Sequence, residues 1–377
     1  MILSTVLLTA FAATGSPPTD NPLKSRFDRA VDSAVTEFFK QPAHVGLSLA
    51  VYQRGHIEYY NYGTTSKDTP TLPTRKTLYE IASITKTFTG AVAAKALLDH
   101  KMSLDGDFRA YLQTPYPNLE KNGKPITLRS LATHTSGLPK DIPDSDAFFQ
   151  HPDFDKLPFQ LIAREGEYDT TRYLRELHDV TLASEPGSKS RYSNIGIKLI
   201  SFGLENVYGR PYADLLYSYI TGPLKMRHTG LAVTKEDTVL EAQGYSPSGK
   251  LMPHTLPNAG AAGGLYSSAE DMMKYASWQL AERDPIVKKS HTMISGDAHS
   301  FGNGLIWDEA PMKDGQRRLW HSGGSYGMSS QLILLPDAKT GFVLLANDGG
   351  FETQMELDKL AMAVWRDAGP VFRLSER

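Results

Sequence analysis

The sequence predicts an α/β fold of the α+β kind: one antiparallel sheet built from both chain ends, flanked by helices, with a mostly helical region inserted between them. Three observations predict it. Residues 44–63, "HVGLSLAVYQRGHIEYYNYG", carry two apolar, β-rich runs around Gln53-Arg54-Gly55, which reads as a β-hairpin. Residues 329–348, "SSQLILLPDAKTGFVLLAND", repeat the pattern with the turn at Pro336 to Gly341. Between them, roughly 84–290, helical periodicity and long Pro- and Gly-bearing loops dominate.

Taken in chain order, the first segment is "MILSTVLLTAFAATGSPPTD", with an apolar run from Ile2 to Ala13 and small residues around Ala10-Phe11-Ala12. This reads as a signal peptide with an A-x-A-like cleavage site near Ala12 or Ala13, so residues 1–21 are assigned to signal peptide and linker. The run is too short to span a bilayer, so no transmembrane anchor is expected in the mature chain and the destination is secreted or periplasmic. Residues 22–40 place Leu23, Phe27, Ala30, Val31, Ala34, Val35 and Phe38 on one helical stripe. The chain closes with an amphipathic helix carrying Met355, Leu357, Leu360, Ala361, Val364 and Trp365. Residues 22–83 and 262–377 are therefore expected to form the sheet domain, and 84–261 a mostly helical one. Within the latter, residues 139–160 combine four Pro with Phe148, Phe149, Phe154 and Phe159. That composition reads as a long irregular loop, serving either a site or a satellite apolar cluster.

Composition narrows the function. The 40% hydrophobic and 22% charged content of 377 residues is enough for a full-sized core. A net charge of −2 supplies no pull toward nucleic acid or anionic lipid, so the expected partner is a small-molecule or peptide substrate. The absence of cysteine excludes disulfides, thiol nucleophiles and thiolate zinc sites. The 11 histidines include no H-E-x-x-H and no tight cluster, and no phosphate-binding G-x-x-x-x-G-K loop occurs. Neither a metal nor another cofactor is expected.

A nucleophile is easier to misplace than to find. Gly323-Gly324-Ser325-Tyr326-Gly327 satisfies G-x-S-x-G, but that elbow needs a helix after the serine and a histidine downstream. The residues after Ser325 carry a β pattern, and His321 is the last histidine of the chain. Ser325 is therefore rejected. Ser83-Ile84-Thr85-Lys86 offers an alternative at the head of an apolar, Ala-rich helix marked by Ile84, Phe88, Ala91, Val92 and Ala96. A spacing of three puts Ser83 and Lys86 on one helical face. A helix start favours developing negative charge at Ser83, and desolvation disfavours the Lys86 ammonium, so that Lys86 can accept the hydroxyl proton. Tyr192-Ser193-Asn194 comes after a Pro-Gly turn and precedes an apolar helix. A phenol beside a lysine ionises more easily and can serve as base or proton shuttle, while Asn194 offers an amide to orient Lys86 or a substrate carbonyl. His134 reads as part of a helix-ending turn with Gly137 and Pro139, and Glu270-Asp271 as first-turn acids after an N-cap. Neither is assigned a catalytic role.

The ordered set S-x-x-K, Y-S-N and H-S-G resembles the serine β-lactamase and penicillin-binding-protein superfamily. The resemblance is to its class C-like branch, which includes class C β-lactamases, D-alanyl-D-alanine carboxypeptidases, D-aminopeptidases and related esterases. The stretches "LRSLATHTSGLP", "GRPYADLLYSYITGPLKM", "AGGLYSSAEDMMKY" and "HSGGSYGMSSQLILLPD" match the same branch, so that the similarity covers about residues 22–366. It implies a β-lactamase/transpeptidase-like fold and an acyl-enzyme on Ser83, with Lys86 and Tyr192 sharing the acid and base work. It also implies that Asn194, His321, Ser322 and Gly323 bind substrate, and that the backbone N–H groups of Ser83 and Gly324 form an oxyanion hole. The family's third motif is usually K-T-G; here His321 replaces the lysine. A largely neutral His suits a carboxylated β-lactam less well, unless Arg317 or Arg318 supplies the charge. The implied substrate is a D-amino-acid peptide, with β-lactam or short-chain ester hydrolysis, acyl transfer, and a non-catalytic penicillin-binding sensor as the alternatives.

Overall fold

The computed structural model describes residues 16–166 and 168–368. The segment assigned to signal peptide lies mostly outside these residues. Among the described residues the strands are, in chain order, β1 (Gly46–Gln53), β2 (His56–Gly63), β3 (Leu78–Glu80), β4 (Glu120–Lys121), β5 (Lys124–Pro125) and β6 (Tyr266–Ser268). They continue with β7 (Ser295–Gly296), β8 (Gly302–Asn303), β9 (Asp308–Pro311), β10 (Arg317–Gly324), β11 (Ser329–Leu335) and β12 (Thr340–Ala346). The helices begin with α1 (Arg26–Phe38), α2 (Thr85–Leu98), α3 (Leu128–Ala132), α4 (Leu157–Glu165), α5 (Thr170–Glu176) and α6 (Asn194–Tyr208). They end with α7 (Tyr212–Leu216), α8 (Gly260–Gly263), α9 (Ala269–Ala281), α10 (Pro285–His291) and α11 (Phe351–Ala368).

The main sheet has the order β2-β1-β12-β11-β10-β9-β8-β7, with neighbouring strands antiparallel. The N-terminal and C-terminal hairpins join where β1 meets β12, with Leu49 opposite Leu344. The first hairpin closes on Arg54 and Gly55, both with positive φ. In the other hairpin the second strand already begins at Thr340, so Gly341 lies in β12 and not in the turn. One face of the sheet buries Leu49, Phe342 and Leu344 under α1 and α11. The opposite face buries Val343 and Leu345 in a cluster that runs on through α9, α2 and α6. Because both faces are covered, the central strands are apolar at successive positions and do not alternate.

Local chemistry sets the helix ends. Ser25 caps α1 in a reciprocal box with Asp28, and Phe27, Val31, Val35 and Phe38 form the buried stripe. Leu23 falls before the helix and is 46% exposed, so it is not part of that stripe. Helix α2 is buried on every side over its first three turns, which is the burial expected of a helix with no polar face. The 139–160 segment is less irregular than its composition implies. It ends in α4, opened by Pro158 at a first-turn position where the missing N–H costs nothing.

Candidate active site

Ser83 sits in a 3₁₀ turn, Ala82–Ile84, that runs directly into α2. Ala82, just before it, has φ +46°, a left-handed conformation unusual for a side-chain-bearing residue. The surroundings hold it there. The Ile81 N–H donates to the Leu265 carbonyl at 3.0 Å, and the Ile81 carbonyl accepts from Ser330 Oγ at 2.8 Å. Strand β10 packs against the same turn through Gly323. A Cβ at Gly323 would stand 2.3 Å from the Ile81 carbonyl oxygen and 3.0 Å from the Ser83 nitrogen. Gly323 therefore sets the spacing between the strand and the Ser83 turn. It is buried beneath the turn, and the cavity beside it is lined by its neighbours Ser322 and Gly324.

Lys86 is fully buried, and its Nζ donates to Ser83 Oγ at 2.9 Å and to the Ala262 carbonyl of α8. Ser83 Oγ is also hydrogen-bonded to Tyr192 Oη at 2.7 Å. The hydroxyl thus lies between an amine and a phenol. Burial pulls Lys86 down to about 7; Asp141 opposes the shift, and Lys198 and Lys140 add to it as like charges. A neutral amine is thus available near neutral pH. The sequence led us to expect an easily ionised phenol at Tyr192. Tyr192 is 40% exposed at the cavity, yet its phenol is raised, first by desolvation in its ring surroundings and further by the charges of Asp141 and Asp308, while the Ser83 hydrogen bond opposes them. The phenol is therefore not the easily ionised group that the sequence predicts, and the amine is the one of the two whose neutral form is accessible near neutral pH.

The capped start of α6 mounts Tyr192. Ser193 Oγ accepts from the Gly196 N–H at 3.2 Å and donates to the Pro139 carbonyl at 2.6 Å. The Ser193 N–H donates to His134 Nδ1 at 3.2 Å, and the His134 ring lies 4.4 Å from that of Tyr192. His134 comes just after the end of α3 with φ +55°, as a helix-ending turn requires. Burial, with Lys86 and His321 nearby, lowers it to about 3, so it is a neutral wall behind the phenol.

Strand β9 pairs with β10 only over residues 317–320. The half of β10 from His321 to Gly324 therefore has no strand partner on that side, and His321, Ser322 and Gly324 line a cavity of about 600 Å³ with Ser83 and Tyr192. His321 Nδ1 lies 2.8 Å from the Ser322 carbonyl, which fixes the Nδ1–H tautomer. Burial and Lys86 lower His321 to about 4. It presents no positive charge to substrate near neutral pH. Arg317 and Arg318 do not replace it: Arg317 pairs with Glu282 and Glu309 at 3.2 Å each, and Arg318 pairs with Asp358. Neither lines the cavity. Ser325 belongs to the β10–β11 turn, where its N–H donates to the Met328 carbonyl at 2.9 Å.

Asn194 opens α6 and lines the cavity, but its Nδ2 donates to Asp141 Oδ1 at 2.9 Å and does not orient Lys86. Sequence reasoning does not find Asp141, Lys140, Glu165, Lys198 or Asp308, all of which line the cavity. One signal is present. Asn194 and Lys198 are four apart and so share one face of α6. The 139–160 segment supplies a wall of the cavity through Phe149, Phe154 and Leu157, whereas Phe148 lies against Arg164 and Phe159 is largely exposed.

A family model described as Beta-lactamase matches residues 31–364. The D-alanyl-D-alanine-carboxypeptidase/endopeptidase AmpH of Escherichia coli (strain K12) is 27% identical over 332 residues, covering 82% of this chain and 81% of that protein. A Beta-lactamase of Providencia stuartii is 26% identical over 364 residues, covering 84% of this chain and 86% of that one. A solved class C β-lactamase superimposes with a TM-score of 0.76 at 21% identity, covering 94% of this chain and 98% of its own. The chain therefore belongs to the β-lactamase family, has the fold of the class C-like branch of the serine β-lactamase and penicillin-binding-protein superfamily, and is a serine hydrolase.

Proposed function

We propose that this hydrolase cleaves amide or ester bonds through an acyl-Ser83 intermediate, and that its substrate is a D-amino-acid peptide of the D-alanyl-D-alanine carboxypeptidase or D-aminopeptidase type. The observation that carries the reading is the line Lys86 Nζ, Ser83 Oγ, Tyr192 Oη, with contacts of 2.9 and 2.7 Å at the wall of the cavity. Lys86, neutral, takes the Ser83 proton as Oγ attacks the carbonyl. Tyr192 relays a proton to the leaving amine or alkoxide and returns one when water attacks the acyl-enzyme. The N–H of Ser83, at the start of its turn and so without an intrahelical acceptor, joins that of Gly324 to hold the oxyanion. One such donor is worth roughly 2.7–4 kcal/mol in the transition state.

The peptide assignment draws support from the E. coli relative, a D-alanyl-D-alanine-carboxypeptidase/endopeptidase by name. Neutral His321 favours a second reading, short-chain ester hydrolysis, because it leaves the β10 wall without a cation for a leaving-group carboxylate. β-Lactam hydrolysis uses the same machinery and falls behind for the same reason. The apolar run from Ile2 to Ala13 supports export to the periplasm or beyond. A side-by-side rate panel decides among the substrates: nitrocefin, a D-Ala-D-Ala peptide, a D-amino-acid p-nitroanilide and p-nitrophenyl esters. Turnover of the D-peptides above the lactam is expected. Fast nitrocefin turnover with inert D-peptides would reverse the order. A penicillin adduct that persists for hours would mark a penicillin target if the D-peptides turn over, and a sensor if nothing in the panel does.

A further inference from the structure

The wall of the cavity built by α6 carries charge that the acyl-transfer chemistry does not use. Lys198 lies one turn beyond Asn194, about 6 Å along the helix axis, on the same face. Lys140 is fixed beside it, because the Lys140 carbonyl accepts from the Asn194 N–H at 2.8 Å and so closes the open end of α6. Both side chains line the cavity. Their ammonium groups rest on aromatic rings: Lys140 Nζ is 3.1 Å from the Phe149 centroid, and Lys198 Nζ is 4.9 Å from that of Tyr173. Among the described residues, neither makes an ion pair.

Asp141, on the same wall, attracts both lysines. Asp141 accepts from Asn194 Nδ2 through Oδ1 at 2.9 Å and from Ser145 Oγ through Oδ2 at 3.1 Å. Glu165, the other acid on this wall, is pushed up to about 7, chiefly by burial and then by Asp141, so near neutral pH it carries only part of a charge. Desolvation lowers both lysines from their ordinary value, and the two amines share the charge of Asp141 and the part-charge of Glu165, an arrangement that an anion in the cavity would complete. The opposite wall is the reverse, with a neutral His321 on β10 and the half-buried carboxyl of Asp308 on β9.

We propose that Lys140 and Lys198 form an anion subsite for a free carboxylate on the acyl portion of the substrate, so that charge is recognised on the α6 wall and not at His321. This rests on the acyl-Ser83 reading. The family resemblance sets Asn194 against the acyl-side amide of the substrate, and Asn194 shares one face of α6 with Lys198, which turns the acyl portion toward the two lysines. The substrate class is then an ester or amide whose acyl group ends in a carboxylate a few carbons from the reacting carbonyl.

Three p-nitrophenyl esters with one leaving group test it: the butyrate, the mono-glutarate and a 4-(trimethylammonio)butyrate. The native chain should prefer the glutarate to the butyrate in kcat/KM by roughly tenfold, the value of a charge-assisted contact. Lys198→Met and Lys140→Met should each bring that ratio toward one, Lys198→Arg should keep it, and Lys198→Glu should turn the preference to the cationic ester. Because both esters are read on one preparation, partial unfolding cancels from the ratio. A native ratio of one or less, or a ratio unmoved by Lys198→Met and Lys140→Met, overturns the subsite. Ser83-dependent turnover of the butyrate without anionic preference sinks this inference alone; turnover that survives Ser83→Ala sinks the acyl-Ser83 reading itself. Calorimetric binding of an N-alkyl glutaramic acid to Ser83→Ala reads the subsite without turnover. Affinity no greater than that for the matching butyramide contradicts it.

Discussion

Raising the pH from about 6 to about 8 should speed acylation of Ser83 by a neutral ester roughly tenfold, following an apparent pKa near that of Lys86. The magnitude comes from burial. Lys86 is fully enclosed and its ammonium is brought from 10.5 to about 7. That is roughly 5 kcal/mol of preference for the neutral amine. His321 and His134, at about 4 and about 3, are neutral throughout this window. Charges beside Lys86 should move the profile with defined signs. Asp141 stabilises the ammonium, so Asp141→Asn shifts the profile to lower pH while keeping the Asn194 hydrogen bond; Lys198 repels it, so Lys198→Met shifts it to higher pH. A unit charge about 8 Å away at an effective dielectric of about 20 is worth about 2 kcal/mol, so shifts on the order of one pH unit are expected. Glu165 titrates at about 7 and responds to Asp141 and Lys198 with the same signs, and Asp308 titrates at about 6. The assay is therefore stopped-flow release of p-nitrophenol in Glu165→Gln and Asp308→Asn backgrounds. A rising profile that survives both, and moves in opposite directions with the two charge variants, is expected. A flat profile in the Glu165→Gln background would refute Lys86 as the base.

Lys86→Met should also change stability. The folded chain disfavours the Lys86 proton, so the native enzyme bears the full cost below about pH 7 and loses it as pH rises toward the unfolded lysine value. Melting temperatures should thus show Lys86→Met more stabilising near pH 6 than near pH 9. Tyr192→Phe should lower kcat about a hundredfold, with the pH profile of acylation unmoved, because the phenol is a relay and not the titrating base. Gly323→Ala drives a methyl into the Ile81 carbonyl and the Ser83 nitrogen; it should cost about 1–3 kcal/mol in chemical denaturation and remove most turnover. His321→Lys should install preference for a leaving-group carboxylate, measured as nitrocefin turnover relative to a neutral ester.

The architecture is legible in the sequence because hairpins and amphipathic stripes are local signals. Gln53-Arg54-Gly55 fixes one hairpin by itself, and the spacing of Val31, Val35 and Phe38 fixes the buried face of α1. Position 83 is legible for the same reason, since the three-residue spacing to Lys86 survives in the turn that enters α2. The hidden features depend on contacts between distant segments. Asp141 gains its meaning from Asn194, 53 residues away, and Lys86 from the Ala262 carbonyl, 176 residues away. At Tyr192, proximity to a lysine is visible in sequence, whereas the desolvation of its ring and the charges of Asp141 and Asp308 are not. The prolines of the 139–160 segment point to a loop, although Pro158 sits at a position where proline starts a helix.

The proposed chemistry depends on Ser83, and not Ser325, carrying the acyl group. The decisive measurement is incubation with a slowly released ester or β-lactam, followed by acid quench, proteolysis and peptide mass mapping. A single acyl mass increment on the peptide containing Ser83, absent from the Ser83→Ala chain, is expected. An increment on the peptide containing Ser325, or full turnover by Ser83→Ala, would show that the nucleophile lies elsewhere.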